Sequence, residues 1–192
     1  MRAFNDYDST PEFTAVEKLP AGAYVVKIKR AEENDGALCI LFDIAEGEFK
    51  DYFVDRFRSD RKSFPDKAKY KGVYRLWYPS GKEYDETNKR RMKTVLKLIK
   101  DENRLNVDFS KEWDGKALKD AKVAMIFQDQ EYDYNGHHGF TAQPYGVIPM
   151  ENFKNGKFTV PEPKRLKTSR GEADADDFTE APGISSDEDL PF

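Results

Sequence analysis

In residues 23–30, Tyr24, Val26 and Ile28 alternate with Lys27 and Lys29, a period of two that predicts a strand with one buried face. Glu33-Asn34-Asp35-Gly36 signals a turn, and residues 37–44 beyond it are too apolar on both faces to form an edge in water. Glu46-Gly47-Glu48 turns the chain again. Residues 49–58 then read as a third strand, with Phe49, Phe53 and Phe57 on one face and Lys50, Tyr52, Arg56 and Arg58 on the other. The first face packs, and the second is left to touch an anion. A long basic loop over residues 59–71 holds Arg61, Lys62, Phe64, Lys67, Lys69 and Tyr70. Residues 72–78 form either a short strand or the return of that loop, before Pro79-Ser80-Gly81 breaks the chain.

The period then changes. Met92, Val95, Leu96 and Ile99 recur at i, i+3, i+4 and i+7, which predicts an amphipathic helix from Glu86 to about Asn103, with Asp85 placed to cap it. Its other face carries Lys89, Arg90, Arg91, Lys93, Lys97 and Lys100. Such a face is ordinarily the solvated one, and here it can also extend a cationic field. Trp113 and Leu118 fall in a connector that turns at Asp114-Gly115. Residues 121–128 predict a strand, and residues 132–134 with 140–148 predict a hairpin around Asn135-Gly136. The expected organisation is an arm over residues 1–20, one domain over 21–150, a linker over 151–170 and a tail over 171–192.

Charge divides the chain in the same place. The 192 residues carry a net −4, but the tail holds eight acidic residues and no Lys or Arg. Its −8 leaves +4 on residues 1–170. With few aliphatic side chains to offset chain entropy, the tail is expected to be disordered. A basic body with an acidic appendage suggests a polyanion partner for the body and a basic partner for the tail. The single cysteine, Cys39, sits in an apolar run, so it predicts core packing and offers neither a disulfide framework nor a zinc-ligand set. No signal-peptide pattern opens the chain, and no apolar run approaches the roughly 20 residues that span a bilayer. A cytoplasmic protein with no membrane association is expected.

The tail ends in Ser185-Ser186-Asp187-Glu188-Asp189-Leu190-Pro191-Phe192. An apolar plug on an acidic tether suits a partner pocket with an apolar floor and a basic rim. This ending resembles the acidic tip, closing in Pro-Phe, of bacterial and phage single-stranded DNA-binding proteins. The resemblance implies a mainly β, OB-fold domain: a five-stranded barrel with a helix between strands 3 and 4, here with a long basic insertion after strand 3. It also implies that Asp187, Glu188, Asp189, Leu190, Pro191 and Phe192 recruit replication, recombination and repair proteins. The size and the insertion look more like phage or prophage versions, which would place the protein in the host cytoplasm. A homo-oligomer is compatible with this reading.

Between Lys50 and Lys100, sixteen Lys or Arg face seven Asp or Glu, with nine aromatic residues among them. Cations neutralise phosphates, and rings stack on bases whatever their identity, so charge together with rings points to single strands. Arg56, Arg58, Arg61, Lys62, Lys69 and Arg75 are the candidate phosphate contacts, and Tyr52, Phe64, Tyr74 and Trp77 the candidate stacking rings. Trp77 is equally open to a core position, and Phe49, Phe53 and Phe57 are expected to pack. His137 and His138 follow Asp129, Glu131 and Asp133, but adjacent strand residues point to opposite faces, so a polar hairpin tip is expected rather than a metal site. No catalytic, nucleotide-binding or cofactor motif stands in its required context. The expected function is non-enzymatic coating of single-stranded DNA without sequence preference. A strand-annealing mediator, a metal-dependent nuclease and a tail-only adaptor are the alternatives.

Overall fold

The computed structural model describes residues 7–9, 17–81, 84–134 and 136–166. The tail, with its six tip residues, and Asn135 lie outside them. The alternating segment forms β1 (Gly22–Asn34), which pairs antiparallel with β2 (Ala37–Ile44) through a turn at Asp35 and Gly36. Both turn residues have positive φ, 51° and 74°, as the tight turn matching strand twist requires. The turn is therefore two residues shorter than the sequence signal, and the strands are correspondingly longer.

β1 is the hub of the sheet. Its first six residues pair with β4 (Lys122–Tyr134) and its later ones with β2, with a bulge at Lys29 where the ladder to β2 shifts register. β3 (Val73–Trp77) adds to β2, and β5 (His137–Ile148) adds to β4. The result is a five-stranded antiparallel sheet in the order β3-β2-β1-β4-β5. The sheet is not closed, for β3 and β5 remain its two edges. Among the described residues no helix is long and apolar enough to cross a membrane.

The third strand expected at residues 49–58 is not a strand. The chain turns there into α1 (Tyr52–Ser63). Phe49, Phe53 and Phe57 are four apart, a spacing that fits a helical face as well as an alternating one. The decision comes from Asp43, the one buried charged side chain among the described residues, at the end of β2. Its carboxylate accepts from Phe53 N and Val54 N at 3.0 Å each, and from Ile44 N at 2.9 Å. The N–H groups of Phe53 and Val54 are two of the four that a helix start leaves without partners. Asp51, the residue before the helix, lies at φ 60° and offers no side-chain cap, so β2 supplies the cap instead. Residues 59–71, expected as a loop after the third strand, are thus the end of α1 and the segment that leads on to β3.

Tyr70 completes this corner by donating to Phe42 O at 2.8 Å and to Asp43 Oδ2 at 3.3 Å. Burial first, and then the Asp43 carboxylate, push its phenol well above the ordinary tyrosine value. Gly72 lets the return strand close in. A Cβ there would lie 2.3 Å from Phe42 O and 2.9 Å from Phe53 Cγ, while Gly72 O accepts from Phe42 N.

α2 (Asp85–Asn103) buries Val95, Leu96 and Ile99 of the predicted stripe and leaves Met92 half-buried against the core, each fully buried side chain contributing about 1.5–3 kcal/mol. Asp85 does not cap the helix, because its carboxylate accepts from Ser80 N and Gly81 N and fixes the loop upstream. The same helix bridges the open sheet. Arg91 donates from Nε to Tyr74 Oη on β3 (3.2 Å) and from Nη2 to Tyr145 O on β5 (2.7 Å). A 3-10 turn at Gly115–Leu118 then abuts β1 so closely that a Cβ on Gly115 would meet Ala31 O at 2.0 Å. Cys39 is buried, as its apolar run implied. Beyond β5, in the segment expected as linker, α3 (Met150–Lys154) forms. Further on, Lys164 pairs with the outer half of β4, donating to Asp129 O and accepting from Glu131 N.

Candidate nucleic-acid interface

Phe42, Phe53 and Phe127 pack ring to ring, and Tyr24, Phe49 and Tyr52 extend the cluster toward the surface. Above this cluster α1 faces the long β4–β5 hairpin, and a cleft of about 320 Å3 lies between them. On the α1 side it is lined by Tyr52 and Arg56, with Lys71 from the turn before β3. The hairpin side brings Tyr132, Tyr134, His137 and Phe140, and Lys18 closes one end. Among the described residues, four aromatic ones other than Phe53 and four potentially cationic ones line it, and no carboxylate does.

The helical turn explains the pairing of Tyr52 with Arg56. On a strand they would share a face at long spacing, whereas on α1 they are i and i+4 neighbours. Arg56 Nη1 donates to Tyr52 Oη at 3.1 Å, and the same oxygen accepts from Leu19 N at 3.1 Å. Tyr52 also meets Phe49 and Phe53 edge to face. It is therefore held on several sides, and it positions Arg56 more than it offers an open ring. Arg56 Nε is buried with no acceptor. Lys71 is half-buried; burial first, and then repulsion from Arg56, lower its ammonium from the ordinary value, with Asp60 opposing.

Across the cleft the hairpin runs eleven paired positions, from Ala124 opposite Ile148 to Tyr134 opposite His137. Tyr132 stands opposite Gly139, where a Cβ would meet the tyrosine hydroxyl at 3.0 Å, so the glycine gives the ring room to lie across the strand. Lys18 Nζ sits 5.8 Å from the centre of that ring. Tyr134 and Phe140 are 46% and 37% exposed. His138 Nδ1 lies 3.6 Å from Asp133, its cross-strand neighbour, while His137 pairs with Tyr134. The two imidazoles thus have different surroundings.

Of the ten body residues singled out from sequence, the structure brings Tyr52 and Arg56 into this cleft. Arg58, Arg61 and Lys62 lie exposed along α1, with Arg58 paired to Asp55 at 3.3 Å. Phe64, at the end of the helix, is 64% exposed, and Lys69 is exposed in the turn that follows. On β3, Arg75 is exposed and Trp77 half-buried opposite Ala37. Tyr74 is a correction: at 3% exposure it belongs to the core, because alternation on β3 turns it inward with Leu76. Arg91 likewise is committed to Tyr74 and Tyr145, not spread in a solvent field.

Lys18, Lys71, Tyr132, Tyr134, His137 and Phe140 were not singled out for binding. Lys18 and the hairpin residues lie far in sequence from the basic window. The tyrosines at 132 and 134, two apart on a hairpin arm, were the available signal, for i and i+2 share a face. No known protein-family model matches the chain, and no curated protein matches it in sequence.

Proposed function

We propose that the protein binds single-stranded DNA without sequence preference, along the cleft between α1 and the β4–β5 hairpin, and recruits partner proteins through its acidic tail. The observation that carries this reading is the lining of the cleft: Arg56, Lys71 and Lys18 beside Tyr132, Tyr134 and Phe140, with no carboxylate among the described residues. Cations offset backbone phosphate charge, and exposed rings stack on bases that have no pairing partner. A duplex keeps its bases inside and has little use for the rings. Arg58, Arg61, Lys62, Lys69 and Phe64 extend the strand path over the exposed side of α1 and its following turn.

The order β3-β2-β1-β4-β5, with α2 inserted between β3 and β4, favours an OB-type barrel left open at one seam. In that reading α2 and its Arg91 stand across the seam between β3 and β5. The residues Asp187 to Phe192 serve as the recruiting tip, as in the phage and bacterial family that this ending resembles, and the protein acts without catalysis.

The test is fluorescence anisotropy of a dye-labelled oligo-dT and of a matched duplex, titrated with the full chain at several salt concentrations. The expected result is tight oligo-dT binding that weakens steeply with salt, and duplex binding at least tenfold weaker. Equal or tighter binding of the duplex, or no binding of either, overturns the proposal.

A further inference from the structure

Several exposed cations are ion-paired. Lys27 bonds Asp120, Arg58 bonds Asp55, Lys89 bonds Glu86, Lys97 bonds Asp101, and Lys122 bonds Glu46. Arg56 and Lys71 differ. They line the same cleft, neither is fully exposed, and among the described residues no carboxylate is within ion-pair distance of either. Two like charges brought together partly out of water destabilise a fold unless something offsets them. Tyr52 accepts from one Arg56 nitrogen, yet Arg56 Nε keeps an N–H with no acceptor, and a buried unsatisfied donor is itself unfavourable by about 1–3 kcal/mol. Asp60 opposes the charge repulsion on Lys71 only weakly, as the smallest of the influences on it, and it is not among the residues that line the cleft.

From this arrangement we infer that Arg56 and Lys71 form a seat for one backbone phosphate of a single strand, with the adjoining base turned against Tyr132 and Phe140. The inference rests on the single-strand reading above and adds to it a fixed point on the strand path. A guanidinium with free donors beside an ammonium suits a phosphodiester, which presents two charged oxygens to two cations. The volume, about 320 Å3, is at the small end of ligand pockets, enough for about one nucleotide and far too small for a duplex. The Arg56 side chain is preset by Tyr52, which Leu19 N and the rings of Phe49 and Phe53 hold in turn. The seat is therefore built before the strand arrives, which limits the entropy lost on binding.

Lys71→Gln tests it in the full chain, with dye-labelled dT15 as probe. The variant is expected to bind about tenfold more weakly at low salt, and its slope of log affinity against log salt should fall by about 0.7, the share of one phosphate on a single strand. Its melting temperature should equal or exceed that of the parent, because an uncompensated charge has been removed; a purely structural lysine would show the opposite. Lys71→Arg should keep affinity within threefold. If the parent binds dT15 and Lys71→Gln matches it within twofold at an unchanged slope, the seat is overturned while single-strand binding stands, with its path elsewhere. Loss of affinity in both variants assigns the effect to packing and also overturns the seat. No binding of dT15 by the parent removes the single-strand reading and the seat with it.

Discussion

Replacing Asp43 by alanine removes the group that starts α1 from the end of β2. Three backbone donors lose their acceptor: Ile44 and Phe53, both buried, and Val54, partly so. An absent helix cap is worth about 1–2 kcal/mol, and each buried orphaned N–H about 1–3 kcal/mol. Relief of the desolvation of a buried carboxylate offsets part of this. The net expectation is a loss of about 3 kcal/mol, a large share of the 5–15 kcal/mol that holds typical domains together. For a chain of this size that corresponds to a fall in melting temperature of roughly 6–12 °C. Tyr70 keeps its bond to Phe42 O, so it should not add a further orphan. Asp43→Asn retains one acceptor oxygen and should fall between parent and alanine variant. The assay is urea unfolding followed by circular dichroism and by tryptophan fluorescence. An alanine variant within 1 kcal/mol of the parent would refute the reasoning, since it would mean that water or α1 itself satisfies those donors.

Gly72→Ala should destabilise the protein by roughly 1–3 kcal/mol in the same assay, because its Cβ meets backbone at Phe42 O and a buried ring at Phe53; an unchanged midpoint would contradict the close approach. Tyr70 has a folded-state value raised above its ordinary 10.0, so its contribution is complete below about pH 10 and is lost as pH rises beyond. Tyr70→Phe should therefore lower stability by about 1 kcal/mol at neutral pH and flatten the alkaline limb of the stability profile; an equally steep limb in the variant would assign it to other groups. Deleting residues 172–192 removes eight negative charges from a body of +4, and should tighten dT15 binding at low salt. Unchanged or weaker affinity in the truncated chain would show that the tail does not compete for the cationic path.

Local pattern alone determined much of the architecture. Period-two alternation gave β1, the apolar run gave β2, the i, i+3, i+4, i+7 stripe gave α2, and the turn signal before His137 marked where β4 ends and β5 begins. The separation of a basic body from an acidic tail is likewise a property of the chain, whatever its fold. What the pattern left undecided was residues 49–63, where three phenylalanines four apart satisfy both a helical and an alternating face. That choice was made by Asp43, ten residues away, whose carboxylate is buried and aimed at the N–H groups of Phe53 and Val54. The choice in turn set Tyr52 and Arg56 side by side. The cleft depends on it as well, because Lys18, Lys71 and Tyr132 meet Arg56 only when α1, the turn before β3 and the far end of the β4–β5 hairpin are packed together. Sequence spacing carries no information about such distant neighbours. Periodicity reports which face of an element is buried, and only the packing of the elements decides which exposed groups share a site.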